Sequence, residues 1–218
     1  MKLKSLIVSA ALAAAAASAT LAHATNLSFT GNFIFDNDVQ TFTFVVGDTS
    51  TVTLRSWSYA GGVNAAGDTI ARGGFDPILA VFDSTGHRLG TQDDGGCGSV
   101  TADAVTNACF DTNFSVELAA GTYTASIQQF DNFSLGDLSA GFTYDGPAYQ
   151  NFRGGFVDAR GDRRDGHWAF DIWNVVSAEV VDPVPDAAVP EPASLAVLGA
   201  GMLGLALSRR QRSQRRAG

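Results

Sequence analysis

Between Leu27 and Val176 turn residues cut the chain into short stretches of alternating side chains, and this pattern constrains the fold more than any other feature. Gln40 to Val46 puts Phe42 and Phe44 on one face and Thr41 and Thr43 on the other, the period of two that suits a strand and not a helix. Gly47-Asp48 then turns the chain into Ser50 to Trp57, a second β-branched alternation. Further strands are expected at Leu27 to Thr30, Asn32 to Phe35, Ala140 to Tyr144 and His167 to Val176. Two hairpins are also expected. One joins Pro77–Phe82 to His87–Gln92 through Asp83-Ser84-Thr85-Gly86, the other Phe114–Leu118 to Thr122–Phe130 through Ala119-Ala120-Gly121. Away from the two ends, no segment with helical period is long enough to form a helix. About nine short strands with regular turns imply an all-β fold, an antiparallel β-sandwich or jelly roll.

The ends read differently. Lys2 and Lys4 precede an apolar run from Leu6 to Leu21, and Ala22-His23-Ala24 has the small-x-small pattern of a signal-peptidase site, so residues 1–24 read as a secretory signal peptide. At the other end Pro190-Glu191-Pro192 leads into Ala193 to Leu207, in which only Ser194 is polar, and then into Arg209, Arg210, Arg212, Arg215 and Arg216. A helix over that apolar run would be roughly 22 Å long, short of the ~30 Å hydrocarbon core, yet able to sit in a locally thinned bilayer with its arginines snorkelling. The positive-inside rule keeps the arginines cytoplasmic and puts the domain before them outside. The expected organisation is therefore a signal peptide at 1–24, a β-sandwich at 25–181, a linker at 182–192, a short transmembrane helix at 193–208 and an arginine-rich cytoplasmic tail at 209–218.

The order Pro190-Glu191-Pro192, apolar span and arginine cluster resembles the sorting tail of PEP-CTERM proteins of Gram-negative bacteria, a tail also labelled an ice-binding protein C-terminal domain. The resemblance covers about thirty residues. It implies recognition by an exosortase, a membrane-embedded sorting protease, with a transient inner-membrane stage, processing near Pro190-Glu191-Pro192 and delivery to the cell surface or extracellular matrix. It carries no implication of ice binding.

Residues 25–181 contain seven arginines, no lysine and nineteen acids. A net charge near −12 argues against nucleic acid, whose phosphates need basic partners, and favours cations or cationic partners. Cys97 and Cys109, in an exported segment, are expected to pair and staple a loop, a gain of roughly 3 kcal/mol on the chain-entropy account.

Phe75 to Gly86 with Asp93-Asp94-Gly95-Gly96, and the later Leu118-Ala119-Ala120-Gly121-Thr122-Tyr123-Thr124, resemble the bacterial pre-peptidase C-terminal type of β-sandwich. That resemblance implies an accessory, binding or stabilising domain. From the residues themselves, Asp76 and Asp83 bracket one strand of the first hairpin and Asp93-Asp94 end the next. Loop-end carboxylates suit Ca²⁺, which takes six to eight oxygens in flexible geometry. The competing reading is local, with aspartates capping turns through their own backbone amides. Asp36-Asn37-Asp38 offers a second oxygen cluster or simply another turn.

Other motifs are thinner. The mature segment holds two histidines, His87 and His167, and no G-x-S-x-G or H-E-x-x-H signature. Trp57, Tyr59, Trp168 and Trp173 could present a stacking platform for sugars, although alternation places Trp57 with Phe42 and Phe44 in the core. Arg160-Gly161-Asp162 reads as part of a solvated charged loop. Together these features imply an exported, non-enzymatic component of the envelope or polysaccharide matrix, with exopolysaccharide as a partner. The alternatives are a calcium-dependent carbohydrate- or protein-binding module, or a secreted hydrolase whose residues meet only in three dimensions.

Overall fold

The computed structural model describes residues 23–181. The linker, apolar span and arginine tail expected beyond residue 181, and nearly all of the expected signal peptide, lie outside the described residues. Among those described, no helix is long and apolar enough to cross a membrane.

In chain order the strands are β1 (Thr25–Asn32), β2 (Val39–Val46), β3 (Ser50–Ser56), β4 (Gly62–Val63), β5 (Thr69–Ile70), β6 (Pro77–Phe82), β7 (Arg88–Gln92), β8 (Asn113–Leu118), β9 (Gly121–Gln129), β10 (Phe156–Val157), β11 (Arg163–Arg164), β12 (His167–Val175) and β13 (Ser177–Val181). They form a four-stranded sheet, ordered β1-β12-β3-β8, and a five-stranded sheet, ordered β13-β2-β9-β6-β7, with two small ribbons, β4-β5 and β10-β11. Every pairing is antiparallel. The fold is an all-β sandwich, as the alternation implies.

The alternating residues define the core between the sheets. Phe42 and Phe44 of β2, Leu79 and Val81 of β6 and Ile127 of β9 face Leu54 of β3 and Phe170 and Ile172 of β12, all fully buried. The Phe42 ring meets Phe170 edge-on at 4.6 Å and Phe29 at 4.8 Å, joining the two layers. Each fully buried Phe contributes about 2–3 kcal/mol from area alone.

β6 is buried on both faces. On its outer side lie Ile78, Ala80 and Phe82, and the neighbouring Ser126 and Gln128 of β9 have no solvent exposure either. Residues 130–145 run over this side and are tied to the β6–β7 hairpin by Arg88 donating to the Ser134 carbonyl (2.6 Å) and Leu138 N–H donating to the Gly86 carbonyl (2.7 Å). Three expectations about strands fail. Asn32 to Phe35 is not a strand of its own, since β1 ends at Asn32, Phe35 makes only an isolated bridge, and the Ile34 and Phe35 N–H groups donate to Asp38. β8 and β9 form no hairpin, because β8 pairs with β3 in one sheet and β9 with β2 and β6 in the other. The third failure is on this outer side of β6. Ala140 to Tyr144 is no strand but the end of a 3₁₀ turn (Leu138–Ala140) followed by a single bridge from Phe142 to Ser134. Gly141 takes a positive φ of 76°, and Phe142 N–H donates to the Asp145 carboxylate, so a local side-chain bond replaces a ladder bond.

Trp57 departs from its expected core position as well. It is half-buried on the outer face, where its indole N–H donates to Asp171 (2.8 Å) and Arg55 stacks on its ring at 4.3 Å. Trp173 shares the same carboxylate, and Trp168 and Tyr59 are buried, so the four rings make no exposed platform.

Candidate functional site

Antiparallel pairing of β6 with β7 decides which of the four hairpin aspartates meet. Leu79 pairs with Gln92 and Phe82 with Arg88, so the residue before β6 and those after β7 emerge at the same end. Asp76, Asp93 and Asp94 converge there, each offering a carboxylate oxygen within 4.8 Å of the others. Asp83 is at the far end of the six-residue strand, about 20 Å away at the rise of an extended chain. It closes the hairpin turn, accepting from Thr85 N–H (2.8 Å), Thr85 Oγ1 (2.6 Å) and His87 N–H (3.0 Å). Those bonds, the Thr85 hydroxyl first, hold its carboxyl below the usual range. The structure thus separates Asp83 from the other three and gives it the turn-capping role.

The remaining three are in a different state. Oδ1 of Asp76 and Oδ1 of Asp93 are both buried without a hydrogen-bond partner. Burial, followed by the charges of Asp93, Asp94 and Asp111, pushes Asp76 up to about 9, only partly opposed by Arg164. Burial, then Asp94 and Asp131, pushes Asp93 to about 6. Asp94 is raised by burial too, with Arg160 pulling the other way. Grouped carboxylates lacking donors favour either protons or a cation.

The Asp93-Asp94 corner is held rigidly from behind. Gly95 N–H donates to the Asp111 carbonyl (2.8 Å), and a Cβ at Gly95 would lie 2.7 Å from Val100 Cγ1 and 2.9 Å from that carbonyl, so only glycine lets the chain approach. Asn113 N–H donates to Gln92 Oε1 (2.7 Å), and Cys97 and Cys109 form the expected disulfide with Cα atoms 5.1 Å apart. Asp111 itself, 2% exposed, is used structurally, accepting from Ser56 Oγ, Tyr59 N–H and Ala60 N–H.

Asp76 and Asp94 open into a cleft of about 500 Å³ whose rim carries the rings of Phe110, Phe130 and Tyr144. Asp36, Asp131 and Asp158 also face it. Asp36 belongs to the second oxygen cluster noted in the sequence, but nothing in the sequence signals that these three share one cleft, because they come from loops between distant strands. In Asp36-Asn37-Asp38 the turn reading holds for Asp38, which accepts from Ile34 N–H and Phe35 N–H, whereas Asp36 accepts from the remote Tyr149 N–H.

Beside the cleft, a buried ionic knot ties the loops together. Arg164, without solvent exposure, donates to Asp158 (2.8 Å) and the Tyr59 carbonyl (2.9 Å), with its guanidinium 3.5 Å from the Tyr59 ring centre. Arg72 pairs with Asp103 and Asp162. Burial alone would raise Asp103, but hydrogen bonds from Arg72 and Thr106 hold it well below the usual carboxylate range. Asp162 is thereby engaged, so the Arg160-Gly161-Asp162 tripeptide does not present a free acid. His87 lies 2.8 Å from Asp137, and His167 faces Asp165 and the Ala71 carbonyl; among the described residues neither imidazole hydrogen-bonds a serine.

These features define a disulfide-stapled antiparallel β-sandwich with a carboxylate cluster at one end. Residues 188–210 match the PEP-CTERM protein-sorting motif, the segment where Pro190, Glu191 and Pro192 stand. That motif marks the chain for export and exosortase-dependent sorting to the surface of a Gram-negative cell. Among solved structures the chain is similar to the pre-peptidase C-terminal domain of collagenase from Bacillus anthracis, at 10% identity over 71% of this chain and 90% of that one, with a TM-score of 0.34. No curated protein matches the sequence.

Proposed function

We propose that the protein is a non-enzymatic component of the envelope or extracellular polysaccharide matrix, built around a domain that binds Ca²⁺ at Asp76, Asp93 and Asp94. The observation that carries the reading is the convergence of three carboxylates on which two buried oxygens have no donor. A hard dication suits that deficit, because its two positive charges act on all three carboxylates at once and it accepts irregular oxygen geometry. Three carboxylates supply three to six of the oxygens that Ca²⁺ takes, and the open cleft leaves room for water or ligand oxygens to complete the shell. Outside the cell Ca²⁺ is abundant, so a site of about 10⁻⁴ to 10⁻³ M is filled. This reading joins the matrix component expected from the sequence to its first alternative, a calcium-dependent binding module, and the three converging carboxylates support the calcium part. The sorting motif supplies the destination, and the acidic surface suits a hydrated matrix.

Calorimetric titration of the purified protein with CaCl₂ at neutral pH tests this. A single saturable site and a melting temperature lowered by chelator are expected. A melting curve unmoved by chelator, with no heat of binding, rejects the cation site.

A further inference from the structure

The molecule has a second concave site of opposite character. Four of the seven arginines in the mature segment, Arg72, Arg153, Arg163 and Arg164, bound one shallow pocket of about 410 Å³ that shares no lining residue with the carboxylate cleft. In a domain with nineteen acids, such a grouping runs against the overall charge.

The β10–β11 ribbon builds it. Strand alternation sends Arg164 inward to the ionic knot and leaves Arg163, its neighbour, exposed. Arg72 and Arg164 are neutralised by Asp103, Asp158 and Asp162 and form a fixed back wall. Arg153 and Arg163 are both exposed, and neither forms an ion pair among the described residues. Arg163 spends one donor on the Gly154 carbonyl, which holds its guanidinium over the Gly154-Gly155 turn. Gly155 has a φ of 71°, and a Cβ there would lie 3.4 Å from Arg163 Nε and Nη2, so glycine lets the fork lie against the turn. A Cβ at Gly154 or Gly73 would meet nothing within 4 Å, leaving the floor open. The one acid in the wall, Asp165, is turned to His167, accepting from its backbone N–H (2.9 Å) and facing its Nδ1.

Two unpaired guanidinium forks over an open, side-chain-free floor match the planar two-oxygen geometry of a carboxylate. We propose that this pocket binds the carboxylate groups of an acidic, uronate-bearing polysaccharide, the arginines selecting the carboxylate and the choice of a polysaccharide resting on the matrix role proposed above. The site is independent of the cation cluster, and either can fail without the other. The surrounding negative field repels polyanions elsewhere on the surface, which confines binding to this pocket.

The test is calorimetric titration of the purified protein with trigalacturonate in the presence of chelator, with maltotriose as the neutral control and sodium sulfate as a free anion. Trigalacturonate should bind and maltotriose should not. The exposed pair Arg153→Gln/Arg163→Gln should weaken trigalacturonate by about tenfold or more, through the loss of charge-assisted hydrogen bonds. The melting temperature and the CaCl₂ titration of that variant should stay at the wild-type values. Absent binding to wild type, equal binding by the variant, equal binding of maltotriose, or sulfate binding as tightly as trigalacturonate would each overturn the proposal.

Discussion

Asp76 and Asp83 show how much a carboxylate's meaning depends on what surrounds it. Both flank β6, yet Asp83 has its turn donors while Asp76 has a buried oxygen with none. Without metal, Asp76 is pushed up to about 9 and Asp93 to about 6, against an ordinary 3.8. The folded state then holds protons that the unfolded chain has already released above pH 4. The contribution of these two groups should therefore be full below about pH 4 and fall as pH rises, with the Asp93 share lost by about pH 6 and the Asp76 share by about pH 9. Calcium binds the ionised form, so the gap in melting temperature between Ca²⁺ and chelator should widen with pH. Asp76→Asn should remove most of the chelator-state pH dependence between pH 6 and 9, stabilise that state by about 1–3 kcal/mol at pH 8, and weaken Ca²⁺ by about tenfold or more. Asp83→Asn should leave the Ca²⁺ titration unchanged. Melting curves across pH with and without chelator decide the matter, and a flat wild-type profile in chelator would contradict it.

At the scale of elements, the site depends on a hairpin and a staple. The β6–β7 pairing brings Asp76 level with Asp93-Asp94, and the loop closed by Cys97–Cys109 packs behind that corner through Gly95 and Val100. The disulfide therefore serves the site as well as the chain entropy. Replacing both cysteines by serine should cost about 2–3 kcal/mol, a fall of roughly 5–10 °C in melting temperature for a domain of this size. It should also weaken Ca²⁺, because the Asp93-Asp94 turn loses its backing. A stability loss with unchanged Ca²⁺ affinity would show that the hairpin alone positions the carboxylates. Much of this level could be read in advance, since the turn residues Asp83 to Gly86 announce the hairpin and the two exported cysteines announce the bond. The segment 140–144 could not, because Gly141 and the Asp145 side chain divert it from the strand that its composition suggests.

For the whole molecule, the domain and its sorting segment act on different steps. The motif at 188–210 directs the protein to the surface, and the sandwich supplies what arrives there. Substituting alanine for Pro190, Glu191 and Pro192 should block processing, leaving a larger precursor in the membrane fraction on an immunoblot and depleting the surface pool. Normal processing of that variant would show that recognition lies in the apolar span or the arginines alone.

The sequence by itself determined the all-β class, the β6–β7 hairpin, the disulfide partners and the sorting motif. Each is written in local order: side chains alternating every second residue, turn residues between them, two cysteines and a short C-terminal pattern. The turn at Ala119-Ala120-Gly121, by contrast, carries the chain from one sheet to the other. Tertiary structure alone decided which charges meet. Antiparallel pairing put Asp76 beside Asp93 and sent Asp83 to the opposite end. Loops remote in sequence brought Asp36, Asp131 and Asp158 to one cleft, and the β10–β11 ribbon with the Gly154-Gly155 turn gathered four arginines around another. The strength of a charge's interactions depends on distance and burial, and neither is encoded in spacing along the chain.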